Sequence, residues 1–289
     1  MSNGNFIYYD LSKGCKSDNI SLIFNGWYEG DERVAFLSPH DDDALLGAGY
    51  LILAILENRG EPYIIIYCDG RGGYSNVDMK DRIVSIRRLE SVNAYRRLGV
   101  KEENILHLDY PDFSLRSYIG WVLPNGVEGT TYKTLKLLRR IKPTRLIIPN
   151  EYREHMDHEA LSYIGSYDGP QVGDPVIVDL GQPFTVKSYL KYCVWGDFSP
   201  EDAFLANRDP NLRGNIAVKV KSEIEDKIVQ AIEEFKSQKD IIKSILEKRK
   251  SRRLNEYYIE VYQKFNPRPG IDYQPYKRRI ADIDSRCSN

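Results

Sequence analysis

Between residues 34 and 163 the sequence alternates short apolar runs with stretches of helical period, and that alternation leaves few folds open. Val34–Ser38, Tyr63–Cys68, Ile105–Leu108 and Arg145–Pro149 are short and apolar, and the first two end at Pro39 and Asp69-Gly70, so all four read as buried strands. Ala44–Asn58, Asp81–Leu98, Tyr132–Ile141 and the stretch around His158–Tyr163 space their apolar residues as helices do, with Gly60 and Gly99 ending the first two. Strand followed by helix, repeated in this way, predicts a Rossmann-like α/β fold. Its sheet is expected to be mostly parallel, with helices on both faces and right-handed crossovers.

The second half is less regular. Ser188–Trp195 and Ile216–Val220 read as strands, and Ser222–Lys236 as an amphipathic helix whose Ser222 and Glu225 resemble a capping box. Asp240–Lys250 and Arg253–Phe265 read as helices, and the Pro-containing, charged tail Asn266–Asn289 as irregular. This predicts a C-terminal helical and strand extension on a single domain, 1–289, with a core of about 30–265 and irregular ends. A chain of 289 residues, 42% hydrophobic, can bury such a core.

Charge narrows the partners. Lys and Arg number 41 against 42 Asp and Glu, for a net charge of −1, so no nucleic-acid partner is expected. The basic run Lys248–Arg253 reads as a solvated helix face. The longest apolar run, Tyr50–Leu56, falls well short of the roughly 20 residues a membrane span needs. Met1–Tyr9 lacks the pattern of a signal peptide. Cys15, Cys68, Cys193 and Cys287 are far apart and form no CxxC pair, which fits a reducing cytoplasm. The oligomeric state is left open.

Four histidines remain, His40, His107, His155 and His158, and three of them lie just past strand ends. In open α/β sheets that is where ligands bind. Ser38-Pro-His-Asp-Asp-Asp43 follows the first strand and opens the first helix. One Asp there is an ordinary helix cap, but three beside a His repel one another unless a cation or hydrogen-bond donors offset the charge. His40 and Asp43, three apart, share a helix face, and Asp42 points elsewhere. The residues alone do not say which Asp binds metal and which moves a proton. His155-Met-Asp-His158 follows the fourth strand with the same spacing, and Asp157 can orient a ring nitrogen from behind. His107 lies inside the third strand and reads as structural. If strands one and four are close, the clusters supply two or three His and one or two carboxylates. That matches a catalytic zinc with three protein ligands and an open position.

His40-x-Asp42-Asp43 joined to His155-x-Asp157-His158 resembles the PIG-L/LmbE-like family of zinc-dependent de-N-acetylases, which act on N-acetylglucosamine-type groups. Arg87-x-x-Glu90, Ala94, Leu98-Gly99, Tyr110-Pro-Asp112 and Lys227…Ala231…Ser237-Gln238 add weaker matches, so the resemblance runs from about Val34 to Gln238. Asp41 and Met156 stand where the family usually or often has Pro, and Asp41 adds a carboxylate beside the site. The resemblance implies zinc ligands His40, Asp43 and His158, with Fe2+ or Co2+ as other divalent options. It implies Asp42 as general base, a protonated His155 steadying the oxyanion, Asp157 orienting His155, and Arg87 and Asp112 binding substrate. The implied substrate is a small N-acetylated amino sugar, and the products are acetate and a free amine. The loop Asp69–Asp81 has no counterpart and is expected to select the substrate.

Two other readings fit parts of the pattern. His40-x-Asp42…His155 suits the two-His, one-carboxylate triad of non-haem iron oxygenases, which usually sit in jelly rolls. The Gly-rich loop Asp69-Gly-Arg-Gly-Gly73 suits a non-catalytic nucleotide- or sugar-binding domain.

Overall fold

The structure, a computed structural model, describes residues 4–196, 198 and 214–287. Strands β1 (Phe6–Asp10) and β2 (Cys15–Ser17) come first, then β3 (Arg33–Ser38), α1 (Asp43–Glu57), β4 (Glu61–Cys68), α2 (Ile83–Leu98) and β5 (Ile105–Tyr110). Helix α3 (Thr130–Ile141), β6 (Arg145–Pro149), α4 (Met156–Gln171) and β7 (Ser188–Tyr192) follow. The described chain closes with β8 (Ile216–Lys221), α5 (Ser222–Ile232), α6 (Lys239–Arg249), β9 (Arg253–Leu254), β10 (Tyr257–Phe265) and α7 (Gln274–Cys287).

One sheet runs β2-β1-β8-β10-β7-β6-β3-β4-β5, with β9 beside β10. Its β7-β6-β3-β4-β5 half is parallel. The β2-β1-β8-β10 half is antiparallel, and β10 joins it to β7 antiparallel as well. The fold is therefore α/β with helices on both faces, but only the half built from alternating strand–helix units is parallel. Strand alternation sets the two cores. Val34, Phe36, Ile64 and Ile66 face one cluster with α1, α2 and α5. Ala35, Leu37, Ile65 and Tyr67 face the other with α3 and α4.

Four expectations change. Residues 253–265 are not a helix but the hairpin β9–β10, turned at Asn255 with φ 57°. Tyr257-Tyr258-Ile259 and Val261-Tyr262 are strand formers, and pairing with both β8 and β7 outweighs helical spacing. Phe6–Asp10 is not an irregular end, because it pairs along β8. Gln274–Cys287 is helical though none of it is buried, and the last two residues of the expected irregular tail lie outside the described ones. Ser222 does not cap α5: β8 runs on to Lys221, so Ser222 is already helical. Glu225 instead turns inward to Arg249, at 3.0 and 2.6 Å.

Helix α1 is interrupted at Ala48 (φ −140°, ψ 24°). The Tyr50 N–H, which would donate to the Leu46 carbonyl in a regular helix, donates to Glu260 Oε2 at 3.0 Å. The Leu46 carbonyl accepts from Arg249 Nη1 at 3.0 Å and Arg252 Nη2 at 3.1 Å. Charged groups from the antiparallel half thus satisfy the opened turn of a helix that begins at the site.

Candidate active site

Because β3 and β6 are hydrogen-bonded neighbours, with Val34 opposite Arg145 and Phe36 opposite Ile147, both histidine clusters emerge at the same sheet edge. The first turn is shaped by Ser38, whose hydroxyl donates to the His40 carbonyl (2.6 Å) and accepts from Ala44 N–H (3.0 Å). Asp42 occupies the cap position of α1 but makes no side-chain cap bond, so capping does not account for it. Asp43 turns back instead. Its Oδ2 accepts from the His40 N–H at 2.8 Å, lies 2.9 Å from His40 Nδ1, and is 3.0 Å from His158 Nε2.

His40, Asp43 and His158 therefore bring one ligand atom each within 4.8 Å of one another, as do His40, His155 and Asp157. Both ring nitrogens of His158 are fully buried without a hydrogen bond of regular geometry. Two imidazoles and a carboxylate converging on one point, one imidazole with its polar atoms unsatisfied, fit a divalent cation of the zinc type. Asp42 belongs to neither of these groups, so the ligand set of the iron-oxygenase reading is not assembled.

Electrostatics follow from burial and crowding. Burial alone would lower His40, but Asp43 and Asp157 outweigh it and hold the imidazole well above its ordinary value. Burial would raise Asp43, but His158 and His40 hold it well below the usual carboxylate range. His158 is pushed up to about 9, with Asp43 and Glu154 overcoming burial. Asp42 is pushed up to about 7, chiefly by burial, with Asp43 and Asp41 adding to it and Arg87 opposing.

Asp157 is fully buried. Its carboxylate lies 3.3 Å from His40 Nε2 and accepts from the Phe113 and Leu115 N–H groups at 2.7 and 3.1 Å. Its backbone N–H donates to His155 Nδ1 at 3.2 Å. The carboxylate is 3.6 Å from that nitrogen. With Nδ1 accepting, the neutral ring carries its proton on Nε2. Burial and the neighbouring His40 push His155 below its ordinary value.

Arg87 and Asp112 do not present open side chains. Arg87 is 5% exposed, grips Asp41 through Nε (2.8 Å) and Nη2, and stands 3.6 Å from Asp42. Asp41 is thus neutralised by Arg87 rather than facing the site as a spare charge. Asp112 accepts from the Gly70 and Gly72 N–H groups, both at 2.8 Å. Those amides are consumed by a carboxylate and cannot cradle a phosphate, which removes the support for the nucleotide-binding reading. At Gly73 a Cβ would collide with the Arg87 guanidinium, so any side chain there would have to displace Arg87 or the loop. His107 lies 3.2 Å from the Ser91 hydroxyl.

A model of the family described as PIG-L: GlcNAc-PI de-N-acetylase matches residues 35–166, a stretch that holds both clusters. The chain carries a PIG-L domain. No curated protein matches the chain. Solved structures share the fold at low identity. A conserved protein of Thermus thermophilus is 22% identical with a TM-score of 0.61, covering 82% of this chain and 96% of its own. The N,N'-diacetylchitobiose deacetylase of Pyrococcus horikoshii is 19% identical with a TM-score of 0.61, covering 87% and 94%. The 4-carboxy-2-hydroxymuconate hydratase of Pseudomonas putida is 16% identical with a TM-score of 0.60, covering 83% and 99%.

Beyond the residues expected from sequence, the PIG-L domain brings three more to the site. Cys68 closes β4 with its sulfur within 4.8 Å of ligand atoms of His40 and Asp112. Phe113, 56% exposed and at φ 59°, sets its ring edge-on to His155 at 4.6 Å. Glu154 faces the far side of His158, with Oε2 3.2 Å from Nδ1. Only Glu154 carried a sequence signal, as an acidic residue directly before the second cluster. The weaker motifs prove to be packing partners: Glu90 accepts from Ser237 N–H at 2.8 Å and its hydroxyl at 2.6 Å, and Gln238 donates to the Gly73 carbonyl.

Proposed function

We propose that the chain is a metal-dependent hydrolase that removes the N-acetyl group of a small amino-sugar substrate, releasing acetate and a free amine. The observation that carries this reading is the convergence of His40, Asp43 and His158, with the His155 ring 4.9 Å from that of His40. Its PIG-L domain and its likeness to a chitobiose deacetylase support it. A hydratase shares the fold too, so the reading rests on the site.

His40, Asp43 and His158 would hold the cation, with zinc first and Fe2+ or Co2+ as alternatives. When bound, such an ion lowers the pKa of water from about 15.7 toward 7 and polarises a carbonyl. Asp42, held apart from the three ligands beside Arg87, takes the proton of the attacking water. His155 donates from Nε2 to the developing oxyanion, with its ring fixed through Nδ1 by the Asp157 backbone. Arg87 cancels the charge of Asp41, so that the carboxylates of this turn can coexist. The departing amine takes its proton from Asp42 or His155. Phe113 offers an exposed aromatic face beside His155 for a sugar ring, and the loop of residues 69–81 provides the neighbouring rim.

A panel of N-acetylated amino sugars, assayed for free amine with and without chelator, tests this. Chelator-sensitive amine release on at least one member is expected. A metal-loaded protein that releases no amine from any member, yet hydrates an unsaturated acid, would overturn the reading.

A further inference from the structure

The Glu154 carboxylate is fully buried, and burial of a charge is costly unless donors surround it. Three backbone amides supply that compensation. Oε1 accepts from Val194 N–H and Gly196 N–H, and Oε2 from Trp195 N–H, each at 3.0 Å. These donors lie past the end of β7, outside the 35–166 stretch of the PIG-L domain, and reach the site because β7 pairs with β6. The cradle is fitted closely: a Cβ on Gly196 would stand 3.1 Å from the Tyr152 carbonyl and 3.4 Å from Glu154 Oε1.

Glu154 Oε2 also lies 3.2 Å from His158 Nδ1, an ion-pair contact that is not aligned as a regular hydrogen bond. The other nitrogen, Nε2, faces Asp43 Oδ2 at 3.0 Å, on the side where the ligand atoms converge. With Asp43 taken up by a cation, the Glu154 carboxylate facing Nδ1 would keep the ring proton there and leave the lone pair on Nε2. His155, three residues earlier, receives the opposite assignment, because its Nδ1 accepts from the Asp157 backbone. Two rings of one short motif are thus set as a ligand and a donor by what touches their far nitrogens.

From this geometry we infer that Glu154 is a positioning residue, clamped by the amides of residues 194–196, that fixes His158 as the Nδ1–H tautomer with Nε2 presented to the metal. The inference rests on the reading of His40, Asp43 and His158 as a metal centre. Carboxylates behind metal-bound imidazoles orient the ring and raise its basicity, and removing one typically costs roughly 10- to 100-fold in metal affinity. Gln at position 154 can still accept through one oxygen, but it turns an NH2 toward donors that Oε2 had satisfied.

The test uses the full chain. Zinc affinity is measured by competition with a chromogenic chelator for the wild type, Glu154→Gln and Glu154→Asp, with folding checked by circular dichroism and Tm. A His-selective 1H–15N spectrum of the zinc-loaded protein reports the tautomer, which a purely structural role for Glu154 would not change. The expected result is an Nδ1–H signal for His158 in the wild type, shifted upfield in Glu154→Gln. Zinc binding should be roughly 10- to 100-fold weaker in Glu154→Gln and intermediate in Glu154→Asp. Zinc affinity of Glu154→Gln within twofold of wild type overturns the inference, as does a wild-type His158 protonated on Nε2. Should Glu154→Gln not fold, the wild-type tautomer and Glu154→Asp decide. A wild type that binds no zinc, iron or cobalt overturns the metal-centre reading itself. A failure confined to the variants spares that reading.

Discussion

The guanidinium of Arg87 grips both carboxylate oxygens of Asp41 and reaches to 3.6 Å from Asp42. Both members of the main pair are buried, and the neighbouring acids hold Arg87 firmly charged. Removing one partner of such a pair leaves an uncompensated buried charge, which typically costs about 3–5 kcal/mol. Arg87→Met should therefore lower unfolding stability by about 3 kcal/mol in a urea titration. A loss below about 1 kcal/mol would show that Asp41 finds other compensation.

Metal retention and turnover should separate by residue. His158→Ala should purify with little bound metal. His107→Ala, altering a ring that lies against the Ser91 hydroxyl and outside the ligand groups, should retain the wild-type amount. Asp42→Asn should keep metal and lose roughly 10²–10⁴ in kcat, the range typical of a general acid–base group. Elemental analysis alongside steady-state kinetics distinguishes them, and near-normal kcat in Asp42→Asn would remove Asp42 from the proton path.

Away from the site, Asp168 on α4 has a buried Oδ2 without a hydrogen-bond partner, and burial pushes its carboxyl up to about 7 despite the Thr131 hydroxyl. The folded state therefore holds a proton that the unfolded chain releases near pH 4. Stability contributed by that proton is complete below about pH 4 and is lost as pH rises from about 4 to about 7. Asp168→Asn should flatten this decline, gaining a few kcal/mol over wild type at about pH 8 and almost nothing at about pH 4. Equal pH profiles for the two proteins would mean that Asp168 titrates as an ordinary carboxylate.

Phe113 tests substrate contact. Its exposed ring stands edge-on to His155, and its N–H, not its side chain, ties it to Asp157. Phe113→Ala should raise KM several-fold with a smaller change in kcat, once a turned-over substrate is in hand. Loss of kcat alone would instead point to a disturbed Asp157.

Much of the parallel half was legible because four of its five strands, β3 to β6, are short apolar runs that each lead into a helical period. Val34–Ser38 and Arg145–Pro149 keep those bounds almost unchanged in β3 and β6. Arg253–Phe265 was not legible, because Tyr, Ile and Val at mixed spacing suit a helix or a strand, and only the partners β8 and β7 settle the matter. Within the site, the spacing of His40 to Asp43 and of His155 to His158 pointed to shared faces. Asp41 looked like an added charge, but Arg87, 46 residues away in sequence, neutralises it.

The sequence by itself determined the alternating strand–helix order, the absence of a long apolar span and the gathering of His and Asp at two strand ends. These are local properties, written in side-chain period and short-range spacing. The tertiary structure decided that β6 lies beside β3, so that the two clusters meet, and that β7 brings three amides to Glu154 behind His158. Strand order and tautomer-setting contacts depend on residues far apart in the chain, brought together by burial of a shared core, and no local pattern records them.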